Sequence, residues 1–199
     1  MGSIGDHLEP QVQDAGLTAQ AGVPLGKMRL CRIFFGPRFH FWLSRSWTMR
    51  YWLMKSEPSV YGIDDLAKEP KKISAWTGVR NYQARNFMRD QMLPRDRAFF
   101  YHSNCEQPGI VGIIEVCRRA HADETQFDRG SEYYDPQSSR DNPRWLSVDV
   151  KLLKKTRLIS LAELRSHGKL KNMRVLARGN RLSITPVDPA EWEIIVGML

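Results

Sequence analysis

Hydrophobic and polar residues follow two distinct periods along the larger, later part of the chain. Apolar runs rich in β-branched and aromatic residues predict strands, and apolar positions three or four residues apart predict helices. The predicted strands are 51–54, 97–103, 110–116, 145–153 and 181–187. The predicted helices are 63–68, 81–92, 161–166 and one that begins at Pro189. Because strands and helices mix without a strict βαβ rhythm, the pattern favours an α+β domain built on a small barrel-like sheet.

Turn and cap residues mark the connections between these elements. The sequence Gln-Pro-Gly at 107–109 predicts a turn that joins two strands in a hairpin. Residues 120–143 are polar and rich in Asp, Ser, Gly and Pro, so they are predicted to form a long surface loop. Asp188, Pro189 and Glu191 match the cap, the first position and the capping-box acid of a helix start.

Residues 1–48 lack this pattern. The first 26 show no sustained hydrophobic period, which predicts disorder, whereas 27–50 place Arg and Lys among Phe and Trp without any acid. Three interpretations stay open for this basic stretch: a transit peptide, a membrane-surface helix, or a start codon chosen upstream of a natural Met49. We favour the third because the ordered pattern begins directly after Met49. We therefore expect a disordered or mis-annotated extension at 1–48 and one domain at 49–199.

Charge and composition narrow the classes of function. The chain has 30 Lys and Arg against 22 Asp and Glu, and residues 49–199 hold 25 of the former and 19 of the latter. This excess permits polyanionic partners through counterion release. No run of about 20 apolar residues occurs, so we expect a soluble cytoplasmic or nuclear protein without a membrane partner. The three cysteines are far apart and suit neither a disulfide framework nor a zinc site, and we expect no metal and no cofactor.

Four blocks of sequence, in the right order, are specific enough to indicate a family. They are YWLMKSEP at 51–58, WTGVRNYQAR at 76–85, FYHS at 100–103 and RLSI at 181–184. Shorter matches lie at 109–113, 125–128, 134–136 and 143–145. Over 49–199 the chain resembles the EVE domain family. One departure is Arg95-Asp96, where the family usually has Gly-Asp, and this predicts a less relaxed turn.

The resemblance implies a fold and a kind of ligand. It implies a PUA-like pseudo-barrel of mostly antiparallel strands with surrounding helices, related in shape to the YTH readers of methylated adenine. It also implies a pocket that accepts a modified base, in a protein that binds rather than catalyses. The expected partner is therefore modified DNA or RNA, and a monomer is the favoured oligomeric state.

The residue types around 76–81 suit base recognition. A base outside its stack needs a flat apolar surface, worth about 1–3 kcal/mol, and a few fixed polar groups for its edge. The candidate pocket residues are Trp52, Ser56, Trp76, Val79, Asn81, Tyr101, Ser103 and Trp145. The candidate phosphate-binding residues are Lys55, Arg80, Arg85 and Arg181, which would position a strand without reading its sequence.

Each candidate also has a structural interpretation. Trp52 and Trp145 suit a core as well as a pocket, and Asn81 is a good helix N-cap. Arg80 and Arg85 suit surface ion pairs. Two further groups are predicted to be structural. They are His102, as a wall residue facing away from Tyr101, and the acidic set His121, Asp123, Glu124 and Asp128, as a solvated loop rather than a metal site.

The leading functional hypothesis is non-enzymatic binding of a modified cytosine or adenine in DNA or RNA. One alternative is a nucleic-acid-processing hydrolase that uses His102, Ser56 and Glu57, which are polar residues beside apolar strands. Another is an RNA-binding accessory protein directed to tRNA, an idea that rests on fold analogy.

Overall fold

A mixed sheet organises residues 49–199, the part of the chain that the computed structural model describes. Within this part the sheet has six strands: β1 (Tyr51–Ser56), β2 (Ile73–Ala75), β3 (Arg97–His102), β4 (Gly109–Ala122), β5 (Leu146–Ser160) and β6 (Ile184–Val187). The α-helices are α1 (Ile63–Lys68), α2 (Tyr82–Asp90), α3 (Leu161–Ser166) and α4 (Pro189–Val196). None of the helices in 49–199 is both long and apolar enough to cross a membrane. The predictions made for 1–48 lie outside the described residues.

The strands run in the order β2-β5-β4-β3-β1-β6 across the sheet. β3 and β4 form the predicted antiparallel hairpin, and β1 pairs in parallel with β3. The remaining pairs are antiparallel, so the predicted α+β class with mostly antiparallel strands is confirmed. Within 49–199 no hydrogen-bonded pairing joins β2 to β6, and the sheet is therefore not closed.

The two faces of the sheet carry separate hydrophobic cores. Successive residues of a strand point to opposite faces, so Phe99 and Phe100 of β3 enter different cores. The Phe100 core packs against α1 and α2 through Leu66 and Met88. The Phe99 core packs against α3 and α4, where Trp192 stacks on Phe99 with ring centroids 4.1 Å apart. A side chain of the sheet can therefore contribute to one face only.

Element bounds agree with the sequence where local signals are strong. α1 and α3 have the predicted bounds, and α4 begins at Pro189 with the predicted capping box. β4 and β5 are longer than predicted, because shifts of register let their polar halves stay paired. β2 was not predicted, since three residues are too few to show a period.

Residues 120–143 differ from the predicted surface loop. β4 continues to Ala122, and the side chain of Gln126 is fully buried. Gln126 Nε2 donates hydrogen bonds to the carbonyl oxygens of Asp123 and Trp145, and its Oε1 accepts one from the Trp145 amide. These bonds satisfy the amide inside the protein, which is why a polar segment can be buried.

Arg95 occupies the strained turn that the family resemblance predicted. Its φ is 79°, in the left-handed region that costs a residue with a Cβ about 1–2 kcal/mol. Glycine would relieve this strain, but its greater entropy in the unfolded chain offsets part of the benefit. We therefore expect Arg95→Gly to raise the free energy of unfolding by about 0.5–1 kcal/mol. Urea denaturation measures this change. Arg95→Ala keeps the Cβ while removing the charge, and an equal gain in that variant would attribute the effect to charge instead.

Candidate functional site

The segment Trp76–Asn81 connects β2 to α2 and is held at both ends. The Trp76 amide donates to the Val148 carbonyl over 2.8 Å, which extends the β2–β5 pairing by one residue. The Trp76 indole packs edge-on against Phe100 with centroids 5.2 Å apart, and only 7% of the residue is exposed. At the other end Asn81 caps α2, with Oδ1 accepting from the amides of Gln83 and Ala84. The cap interpretation of Asn81 is confirmed, and Nδ2 takes no part in the cap.

A buried ion pair holds the middle of the segment. Asp123 is 0% exposed, and Oδ2 accepts from the Gly78 amide over 2.9 Å and from Arg80 Nη1 over 2.8 Å. Its Oδ1 accepts from the amide and the hydroxyl of Thr125. Burial alone would raise the pKa of Asp123, but the hydrogen bonds from Arg80, Thr125 and Gly78 outweigh it and hold that pKa below its ordinary 3.8. Asp123 is therefore ionised and ties the segment to the loop after β4.

Arg80 carries this connection on to Tyr133. Its Nε and Nη2 donate to the Tyr133 carbonyl over 3.1 and 2.5 Å, and the guanidinium lies 5.3 Å from the centroid of the Tyr133 ring. That ring rests against Gly78, whose φ is 78°. A Cβ at Gly78 would lie 2.9 Å from the ring, so only glycine permits both the backbone conformation and this approach.

Trp145 and Tyr82 form a second aromatic group beside Arg80. The Trp145 indole N–H donates to Asp135 Oδ2 over 2.7 Å, and its ring lies 4.9 Å from the ring of Tyr82. The guanidinium of Arg80 lies 5.5 Å from the Trp145 ring centroid. Tyr82 is 47% exposed, so this group reaches the surface.

The ends of β1 and β3 carry further polar candidate residues. The Ser103 amide donates to the Ser56 carbonyl over 2.9 Å, and Asn104 Nδ2 donates to Glu57 Oε2 over 2.8 Å. Nε2 of His102 accepts from the Ile63 amide at the start of α1 over 3.1 Å. Burial lowers the pKa of His102, which keeps the ring neutral and able to accept this bond.

The structure separates some of the residues that the sequence grouped together. Tyr101 belongs to the Phe99 core, whereas Trp76 belongs to the Phe100 core on the other face of the sheet. The expectation of one pocket walled by both is corrected, because the sheet lies between them. Trp52 is 1% exposed and donates its indole N–H to buried Asp96 over 3.2 Å, so it presents no face to a ligand. Val79 likewise points into the core.

The four cationic candidates fall into two pairs. Arg80 is committed to Asp123 and Tyr133, and Arg85 donates to the Arg144 carbonyl and to Asn86. Lys55 is half-buried, with Nζ 3.4 Å from the Asn180 carbonyl, and burial lowers its pKa.

Arg181 follows Asn180 directly and is exposed. Lys55 and Tyr101 are register partners between β1 and β3, so Lys55 points to the Phe99 face. Lys55 and Arg181 therefore lie together, apart from Arg80 and Arg85.

Sequence reasoning missed Asp123 and Tyr133 as members of this site. The prediction that Asp123 lies in a solvated acidic loop is wrong, because four hydrogen bonds satisfy its buried carboxylate. Asp123 shows no periodic signal since it follows the last residue of β4. The available signal was the family-like block at 125–128, which begins with the Thr125 that binds it.

Comparison with known proteins places the chain in a family. The EVE domain profile matches residues 50–198. Thymocyte nuclear protein 1 from Rattus norvegicus is 44% identical over 166 residues, which are 74% of this chain and 73% of the relative. The human protein of the same name is also 44% identical over 166 residues, with the same coverage of both chains.

Two solved structures resemble the described part closely. A hypothetical protein from Leishmania major is 44% identical with a TM-score of 0.71, over 75% of this chain and 94% of that one. The human THYN1 protein, solved in complex with DNA that contains 5-methylcytosine, is 44% identical with a TM-score of 0.70, over 75% and 96% of the two chains. The fold is the α+β PUA-like fold, and the chain belongs to the EVE domain family.

Proposed function

We propose that this protein binds 5-methylcytosine in DNA, without chemical turnover, in a cleft between the Trp76–Asn81 segment, Tyr133 and Glu57. The observation that carries the proposal is the similarity, over three quarters of the chain, to a human protein solved with 5-methylcytosine-containing DNA. A modified base is distinguished by small groups on its ring, which a protein reads best once the base has left the stack. The cleft offers aromatic and polar groups suited to that task.

Two features of the cleft support base binding. Within 49–199 the indole N–H of Trp76 has no hydrogen-bond acceptor, although the indole is packed firmly on Phe100. Arg80 donates to the backbone carbonyl of Tyr133, and the Tyr133 ring lies against Gly78. Preorganised aromatic surfaces lower the entropy lost on binding, so this rigidity favours affinity for a flat ring.

Lys55 and Arg181 are the residues that we assign to the DNA backbone. Arg80 and Arg85 have committed their donors to protein acceptors, so phosphate contacts through them would break existing bonds. Lys55 points to the Phe99 face, but with Arg181 it lies near the strand end where Ser56 and Ser103 meet, so a DNA backbone that passes this end could contact both. Contacts of this kind position a strand without reading its sequence, and they weaken as salt rises.

The roles of Ser56 and His102 support binding without turnover. The Ser56 hydroxyl donates to the Tyr61 carbonyl over 2.7 Å, and His102 accepts from the Ile63 amide. Within 49–199 no hydrogen bond joins the side chains of Ser56 and His102, as a nucleophile and its base would need. Each residue stabilises the turn into α1.

A binding experiment with matched glycine variants tests the proposal. We expect the full chain to bind a duplex with one 5-methylcytosine about tenfold more tightly than the unmodified duplex at the same salt concentration. Gly78→Ala should lose most of this preference, because the new Cβ displaces the Tyr133 ring. Fluorescence anisotropy measures each dissociation constant.

Gly179→Ala is the matched control, since Gly179 has φ 76° with nothing within 4 Å of its Cβ position. It carries the same backbone strain without the contact and should keep the preference of the wild type. Equal binding of the two duplexes by the wild type would refute the proposed function. A duplex with methylated adenine and an RNA of the same sequence complete the series and test the ligands that the sequence left open.

A further inference from the structure

Glu57 places a carboxylate without a cationic partner beside the proposed cleft. The residue is half-buried, and its Oε2 accepts from Asn104 Nδ2 over 2.8 Å. Among residues 49–199 no Lys, Arg or His forms an ion pair with it, and Oε1 accepts no hydrogen bond. In a chain with 30 basic residues against 22 acidic ones, this carboxylate retains one free acceptor atom.

Glu57 and Asn104 follow the neighbouring ends of β1 and β3. Ser56 and His102 are register partners of the parallel strands β1 and β3, so Glu57 and Asn104 leave the same edge of the sheet. His102 lies against Phe100, on which Trp76 packs.

Across the cleft, the pKa of Tyr133 is raised by burial first, then by Glu132, and also by the charge of Glu57. This effect agrees with the contacts of His102 with Phe100 and of Phe100 with Trp76, which bring the ends of β1 and β3 to the Trp76 side of the sheet.

The backbone of Asn104 holds this pair in place. Its φ is 52°, a left-handed conformation that Asn tolerates better than most residues with a side chain. In this conformation the Asn104 amide donates to Glu57 Oε2 over 2.8 Å, and this bond restrains the carboxylate. A carboxylate fixed at the mouth of a cleft repels phosphate and carbonyl oxygens and attracts N–H donors.

We infer that Glu57 reads the edge of the bound base, accepting a hydrogen bond from the 4-amino group of a cytosine-type base while Asn104 positions the carboxylate. The inference rests on the proposed function and specifies its ligand class. Carboxylates accept from cytosine N4, whereas thymine presents the acceptor O4 at that position. 5-Methylcytosine and thymine share the ring methyl and nearly the same shape. Aromatic walls alone therefore cannot separate them, and an acceptor such as Glu57 can.

The experiment compares 5-methylcytosine, cytosine and thymine at one position opposite an abasic site, so that none of the three must break a base pair. We expect the full chain to bind the 5-methylcytosine oligonucleotide about tenfold more tightly than the thymine one. In Glu57→Gln the amide both donates and accepts, and the ratio should fall to within about twofold. Asn104→Gly, which removes the positioning amide and suits the left-handed backbone, should lower the ratio by a smaller factor.

Glu106→Gln is the control, because it removes the same charge from an exposed residue of the β3–β4 loop, which also holds Asn104. Its ratio should equal that of the wild type. An unchanged ratio in Glu57→Gln, with a thermal midpoint like that of the wild type, would overturn the inference, as would equal wild-type binding of 5-methylcytosine and thymine. If the wild type prefers 5-methylcytosine to cytosine, the proposed function stands even when either of these results overturns the inference about Glu57. A wild type without that preference refutes the proposed function and this inference together.

Discussion

Asp123→Ala is expected to lower the free energy of unfolding by about 3 kcal/mol. The substitution leaves Arg80, the Gly78 amide and Thr125 without their common acceptor, and removing one partner of a buried ion pair costs about 3–5 kcal/mol. We take the lower end because the Arg80 side chain is 22% exposed and water reaches it. Urea denaturation followed by tryptophan fluorescence gives the change.

Asp128→Ala is the control for this prediction. Asp128 is an exposed acid of the same loop, and its side chain accepts from the Gly130 amide alone within the described residues. Its loss should change the unfolding free energy by about 0.5 kcal/mol or less. If Asp123→Ala were as mild as Asp128→Ala, the buried pair would not be what secures the Trp76–Asn81 segment.

The contribution of Asp123 also has a defined pH dependence. Its folded-state pKa is lower than the ordinary 3.8, so the folded protein binds fewer protons there than the unfolded chain does. The stabilisation is therefore complete above pH 3.8 and is lost as the pH falls through the lower folded-state pKa. The difference in stability between wild type and Asp123→Ala should be constant at neutral pH and shrink below pH 3.8. A difference that grew on acidification would contradict an ionised Asp123.

Gly109→Ala is expected to cost about 3 kcal/mol or more, equivalent to a fall of about 6–12 °C in the thermal midpoint. Gly109 lies in β4 between His102 of β3 and Ser160 of β5. A Cβ there would overlap the Ile159 carbonyl oxygen and lie 2.8 Å from Leu158 Cδ1. The backbone cannot yield without opening the pairing of two strands in the middle of the sheet.

Gly168→Ala shows what the same change does without a steric conflict. Nothing lies within 4 Å of the Cβ position at Gly168, so the midpoint should stay within about 2 °C of the wild type. Thermal unfolding monitored by circular dichroism compares the two variants. A Gly109→Ala protein as stable as Gly168→Ala would mean that β4 and β5 separate easily at this end.

The sequence predicted those features of the protein that depend on neighbouring residues. Asn81 was expected to cap α2, and it does so through its own side chain and the next turn. The strained turn at Arg95 was expected because glycine is usual there, and its φ is 79°. Interactions of this kind span a few residues, so composition and spacing are enough to reveal them.

The parts that the sequence did not predict depend on pairing between distant segments. Asp123 lies 43 residues from Arg80 along the chain, and its burial follows from the length of β4 and from the Gln126 bonds that fold the next turn inward. An aspartate in a polar stretch is predicted to be solvated as long as those partners are unknown. The three-residue strand β2, which presents Trp76, likewise exists only because β5 pairs with it.

The sequence alone determined the family, the α+β class and the bounds of α1 and α3. The alternation of β3 also established that Tyr101 and His102 point to opposite faces. Only the tertiary structure decided which of these faces holds Trp76, and it placed Tyr101 in the core on the other face. The physical reason is that local periodicity defines two faces of a strand, whereas the order of strands and the helices covering them decide what each face contacts.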